Sequence, residues 1–97
     1  MNATDQVRDL LGIHDLRLVG RIGADHLFTD ECDDCHRPAV IHTETLTAEG
    51  RGTAREGGIY CLDHGTTAVD LLMWQVMDEI AVTVPASLLA ATNILAA

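Results

Sequence analysis

The chain has 97 residues, fifteen acidic against six basic, with a formal net charge of −9 and a pI near 4.6. That length fits one domain with a small core, and a hydrophobic content of 47% excludes an intrinsically disordered chain. A surface this acidic repels phosphate backbones and anionic membranes, so nucleic acid and lipid are disfavoured as partners.

Only Phe28, Tyr60 and Trp74 are aromatic, which leaves the core in need of a metal, a disulfide or a partner. The first residues hold acids and no apolar run, so no targeting segment is expected and a cytoplasmic, reducing setting follows. Thr4 or Asp5 can cap a short helix through Leu11, with Gly12 placed to end it. Residues 16–22 and 26–29 read as two strands, joined as a hairpin through 23–25. Residues 39–46 alternate as a further strand. Residues 47–58 hold Gly50, Gly52, Gly57 and Gly58 and predict a loop, after which 59–61 resume an extended run. Across 66–82, Val69, Leu72, Met73, Val76 and Ile80 recur at helical spacing, with Asp70, Asp78 and Glu79 turned away.

All 21 charged residues lie in positions 1–79, and residues 80–97 carry none. The uncharged run is too polar for lipid, because it holds Thr83, Pro85, Ser87, Thr92 and Asn93. It predicts a short terminal helix, with Thr83 as N-cap and Leu88, Leu89 and Leu95 on one face. A helix apolar nearly all round must be buried, and a chain this small has little room for it. The expected division is therefore a single domain over 1–82 and an interaction segment over 83–97, which meets a protein partner or a second copy. Trp74, off the apolar stripe of its helix, is either an interface anchor or a partly buried core residue.

All three cysteines fall into one pattern, Cys32-Asp-Asp-Cys35 and Cys61-Leu-Asp-His64, with twenty-five residues between the pairs. Two i, i+3 pairs suit one tetrahedral Zn2+, since two intervening residues let a tight turn aim both ligand atoms at one point. The competing reading is a redox dithiol at Cys32 and Cys35 with Cys61 a small buried hydrophobe. Such a dithiol needs a helix N-terminus, whereas Asp30, Glu31, Asp33 and Asp34 would raise a thiol pKa here. His36 adjoins Cys35 and could replace it in a slipped shell, but Cys35 is the better spaced ligand.

Cys61 ends an extended run and His64 leads into a helix, so the second pair is not a hairpin knuckle. The phrases CDDCHRPAVIH and YCLDHG resemble the short treble-clef zinc fingers of the CDxC…YCxxH type in actinobacteria and their phages. The resemblance covers about residues 30–75. It implies a small zinc-stabilised α+β domain of knuckle, β-hairpin and helix, with metal ligands Cys32, Cys35, Cys61 and His64. A short N-terminal helix and hairpin and an apolar C-terminal helix complete the expected architecture.

Four good ligands close the coordination shell, so the ion is expected to be structural and the protein not an enzyme. His42-Thr43-Glu44 has the H-x-E form of a zinc deaminase, but no Pro-Cys-x-x-Cys follows and Cys32 and Cys35 would have no role. A treble-clef nuclease would use His42 as base and lacks a second metal-binding residue in the helix. His14 and His26 carry no site signal. The expectation is an interaction or assembly module that docks through Trp74, Leu88, Leu89 and Leu95, as an accessory part of a larger complex such as a phage virion. The alternative is a nucleic-acid- or transcription-associated finger using Arg37, Arg51 and Arg55.

Overall fold

The computed structural model describes residues 2–46 and 52–96, with side chains described except at 52–56 and 92–96. The fold is a small α+β domain built on one four-stranded sheet. Helix α1 (Ala3–Leu11) is capped by Asn2, whose side chain accepts the Asp5 amide at 2.9 Å, rather than by Thr4 or Asp5. It ends as expected at Gly12, whose φ of 69° is a left-handed cap conformation that glycine takes without strain. Strand β1 (Leu18–Gly23) follows. Residues 26–29 do not form the expected second strand; a 3₁₀ turn at Asp25–Leu27 stands there instead. That turn places the Asp25 carboxylate to accept the Ser87 amide at 3.1 Å, which satisfies one open N–H at the start of the last helix.

Strand β2 (Ile41–Leu46) coincides with the alternating run, its odd-numbered residues buried. Strand β3 (Gly52–Tyr60) runs through most of the glycine-rich segment expected to be a loop; positions 47–51 lie outside the described residues. Antiparallel pairing with β2, with an irregularity between Thr43 and Thr45, overrides the low strand propensity of glycine. The Thr43 hydroxyl reinforces it by accepting the Gly58 amide at 2.9 Å.

Helix α2 (Leu62–Gln75) is shorter than the predicted 66–82 helix and starts earlier. Val76 turns extended, and Ile80 belongs to strand β4 (Glu79–Pro85). β4 is central: the order is β1-β4-β2-β3, with β4 parallel to β1 and antiparallel to β2. A strand paired on both sides and covered by helices reads as a continuous apolar run, which is how Ile80-Ala81-Val82-Thr83-Val84 was open to misreading as helix. Thr83 is therefore mid-strand and not an N-cap, and the expected boundary at 82/83 falls inside β4.

The last helix, α3 (Ala86–Ala96), packs on α1 and β4. Val7 and Leu11 from α1, Val69 and Met73 from α2, and Leu89 from α3 form one core with Leu18, Ile41, Ile80, Val82 and Val84 of the sheet. Leu89 thus faces inward and Leu88 is half-buried against the same core, so neither presents the free docking face expected of them; the Leu95 side chain lies outside the described residues. Trp74 is 85% exposed, which rules out the core alternative for it. No helix among the described residues is long and apolar enough to cross a membrane.

One long-range clamp joins α2 to the sheet. Arg17, at the entry to β1, donates to the carbonyls of Val76 and of Met73 (2.6 Å), and the Asp15 carboxylate holds its guanidinium at 3.0 Å. A cation on the open carbonyls at a helix C-terminus satisfies them and opposes the negative end of the helix dipole. Hydrogen bonds from the Arg17 side chain and amide in turn hold the Asp15 carboxyl below its ordinary pKa. Arg17→Ala is expected to lower the denaturant midpoint of the metal-loaded protein, because it leaves the Met73 and Val76 carbonyls without this donor. Asp15 contributes its share above the ordinary carboxylate range and loses it as pH falls through the lowered value, so Asp15→Asn should converge on wild-type stability in acid.

Candidate metal centre

The first ligand pair sits at the tip of a miniature hairpin. Glu31 bridges Pro38, the Ala39 amide donates to Asp30 at 3.0 Å, and the Cys32 amide donates to the Arg37 carbonyl at 2.7 Å. His36 closes the turn in a left-handed conformation (φ 63°), its amide on the Cys32 carbonyl at 3.0 Å. The knuckle is fastened to the outer edge of β3 through Asp33. Its amide donates to the Ile59 carbonyl at 2.9 Å, and its carboxylate accepts the Ile59 amide at 3.3 Å.

The second pair begins α2. Cys61 is the N-cap residue, its sulfur accepting the His64 amide at 3.5 Å, so its side chain must fold back toward the helix start. His64, one turn in, has its ring beside the same sulfur. The adjoining Gly65 lets the helix approach β2 closely: a Cβ there would fall 2.6 Å from Ile41 Cδ1 and 2.9 Å from its Cβ, and Ile41 is fully buried.

These two constructions bring Cys32, Cys35, Cys61 and His64 together, with every ligand atom within 4.8 Å of the others. Cys35 Sγ lies 3.7 Å from Cys61 Sγ, and His64 Nδ1 lies 3.6 Å from Cys32 Sγ and 3.3 Å from Cys61 Sγ. A four-coordinate ion about 2.3 Å from each sulfur and about 2.0 Å from nitrogen needs tetrahedral edges of about 3.5–3.8 Å. The donor set therefore fits a single metal ion, with Nδ1 as the imidazole ligand atom.

The electrostatics of the four groups are coupled. Burial pushes the Cys32 thiol up, but the amides of Cys61, Asp34 and Cys35 and the His64 ring outweigh it, and its pKa falls to about 6. The Arg37 amide and guanidinium pull Cys35 down. At Cys61 the His64 amide favours the thiolate, yet burial and the neighbouring sulfurs prevail and the pKa rises. His64 is raised by Cys32 and Cys35. The expectation that the surrounding acids raise the Cys32 and Cys35 thiols is thus overturned: local amides, the His64 ring and Arg37 decide.

The residues weighed for catalysis stand elsewhere. His42 and Glu44 do not join the ligand cluster. His42 stacks on Phe28 with ring centroids 4.3 Å apart, and burial lowers its pKa, which keeps the ring neutral. Arg37, weighed as a nucleic-acid contact, instead donates from Nε to Cys35 Sγ at 3.3 Å. That role was open to inference from sequence, since an arginine two residues beyond a ligand thiolate is within reach of its sulfur. The side chains of Arg51 and Arg55 lie outside the described residues. Comparison with protein-family models, with curated proteins and with solved structures finds no match to this chain.

Two outcomes follow for the loaded protein. Arg37→Ala should weaken metal binding by about tenfold in chelator competition, because the guanidinium supports a thiolate ligand. Acidification sets protons against the ion, because binding requires thiolates and a neutral imidazole; metal should be retained at neutrality and released in acid, as followed by a colorimetric chelator.

Proposed function

We propose that this chain is a non-enzymatic interaction module whose fold is held by one structural Zn2+ on Cys32, Cys35, Cys61 and His64. The observation that carries this reading is the convergence of three sulfurs and one imidazole nitrogen within 4.8 Å of one another. Thiolate-rich sets favour zinc over hard cations, and four protein ligands leave no position for a reacting water. When bound, the ion supplies folding energy and neutralises the crowded sulfurs. The order of knuckle, β2–β3 hairpin and α2 supports the treble-clef reading that the resemblance implies.

The residues around the ion have structural tasks. Asp33 locks the knuckle to β3, Gly65 seats α2 on β2, and Arg37 offsets the negative charge of a three-thiolate site. The interaction role draws on Trp74, whose large apolar ring stands in solvent on a helix fixed at its start by the metal ligands and at its end by Arg17. An accessory place in a larger protein assembly is the setting that fits both.

Elemental analysis of the natively purified protein should find one zinc per chain, and chelation should abolish the folded-state near-ultraviolet signal; less than stoichiometric metal in folded protein overturns the reading. Purification of the full chain from its source should bring a protein partner that cross-links to it. Recovery of nucleic acid instead, lost with rising salt, would favour the transcription-associated alternative.

A further inference from the structure

A groove of about 430 Å³ runs between the α1–β1 connection and the last turns of α2, lined among others by His14, Asp15, Arg17, Asp70 and Trp74. On α2, Asp63, Thr67, Asp70 and Trp74 succeed one another at helical spacing along the solvent face, all exposed. Around the helix end three more apolar side chains stand in water: Leu71 is 53% exposed, Met77 89%, and Leu16, which adjoins the Arg17 clamp, 88%. Of these exposed apolar side chains Trp74 lines the groove, and Leu71, Met77 and Leu16 are its neighbours along α2, just beyond it and next to Arg17, which is the composition of a contact surface.

The charge of the rim selects the occupant. Arg17 is the cation lining the groove, and it is occupied by Asp15 and by the carbonyls that end α2. Asp70, Asp78 and Glu79 are exposed on and just beyond the same helix. The accessible charges here are therefore negative, beside an indole face that attracts cations. A second copy of the chain is poorly equipped to answer them. The sequence has no lysine, and of its six arginines Arg8, Arg17, Arg21 and Arg37 each already hold an internal partner, while the side chains of Arg51 and Arg55 lie outside the described residues.

We infer that this groove receives a cationic amphipathic segment of a partner protein, one arginine or lysine of which lies on the Trp74 ring and pairs with Asp70 while its apolar side chains cover Leu71 and Met77. The inference rests on the interaction-module reading and adds to it the surface and the chemistry of the partner.

Trp74 is the sole tryptophan, so its fluorescence reports on the groove directly. Titration of the metal-loaded full chain with a short amphipathic peptide of leucine and arginine should give a saturable blue shift that weakens with salt, and the same peptide with glutamate at every arginine should give none. Asp70→Asn should weaken binding about three- to tenfold. Asp5→Asn, which removes an equal charge near the far end of α1, should leave it unchanged. Metal content and melting temperature equal to wild type establish that both variants are folded. Equal losses in the two variants would reveal general attraction to an acidic surface and overturn the proposal, as would a blue shift that grows with protein concentration alone, the mark of self-association. A native partner cross-linked to a different face would overturn the groove and leave the interaction role standing; binding of neither the peptide nor any macromolecule would remove both.

Discussion

Three sulfurs and a ring nitrogen confined within 4.8 Å cannot all carry their preferred charges without a cation among them. The conflict is visible in the thiols themselves, with Cys32 drawn down to about 6 while Cys61, beside two other sulfurs, is pushed up. These groups are positioned by the surrounding elements: the left-handed turn at His36, the backbone and carboxylate bonds between Asp33 and Ile59, the N-cap at Cys61. The scaffold thus holds four ligands in place at the expense of their mutual repulsion, which a divalent ion converts into attraction. With three aromatic residues in the whole chain, an ion bound here would add a fastening where apolar bulk is scarce.

How far the fold could be read from sequence followed the range of the forces involved. The ligand pairs were legible because i, i+3 spacing is a local property, and the end of α1 because Gly12 acts on its own turn. Strand β4 was not, since Ile80 continues the spacing of Val69, Met73 and Val76 and only pairing with β1 and β2 decides against helix. The β-branched residues Ile80, Val82, Thr83 and Val84 were the signal that could have corrected it. Strand β3 was hidden by its glycines, and the 3₁₀ turn at Asp25 by an apolar stretch that resembled a strand. The Arg17 clamp had no local signature, because its partners on α2 are more than fifty residues away in sequence, at separations of 56 and 59.

The charge balance takes on a spatial meaning in the fold. The described arginines are internal fasteners: Arg8 on the edge of β1, Arg17 on the end of α2, Arg21 on Glu44 across the sheet, Arg37 on a ligand sulfur. Among the described residues, in contrast, the acids Asp34, Asp70, Asp78 and Glu79 are exposed and form no ion pair. The outer edge of β1 is closed in the same economical way, with Thr4 and Arg8 from α1 taking the Gly20 amide and the Leu18 carbonyl that another strand would otherwise pair with. At these two positions that edge offers no open backbone group to another strand.

The position of β4 bears on how the chain comes together during synthesis. Knuckle, hairpin and α2 form a contiguous stretch that ends at Gln75, and all four metal ligands lie within it. β1 is made early but has no partner strand until its parallel neighbour is made, since Leu18 pairs with Ile80. The nascent chain can thus gather its ligands before the four-stranded sheet is complete, and the last strand inserts between two that are already made. Synthesis runs from α1 and β1 through the metal-binding unit to β4, and β4 is the piece that closes the sheet.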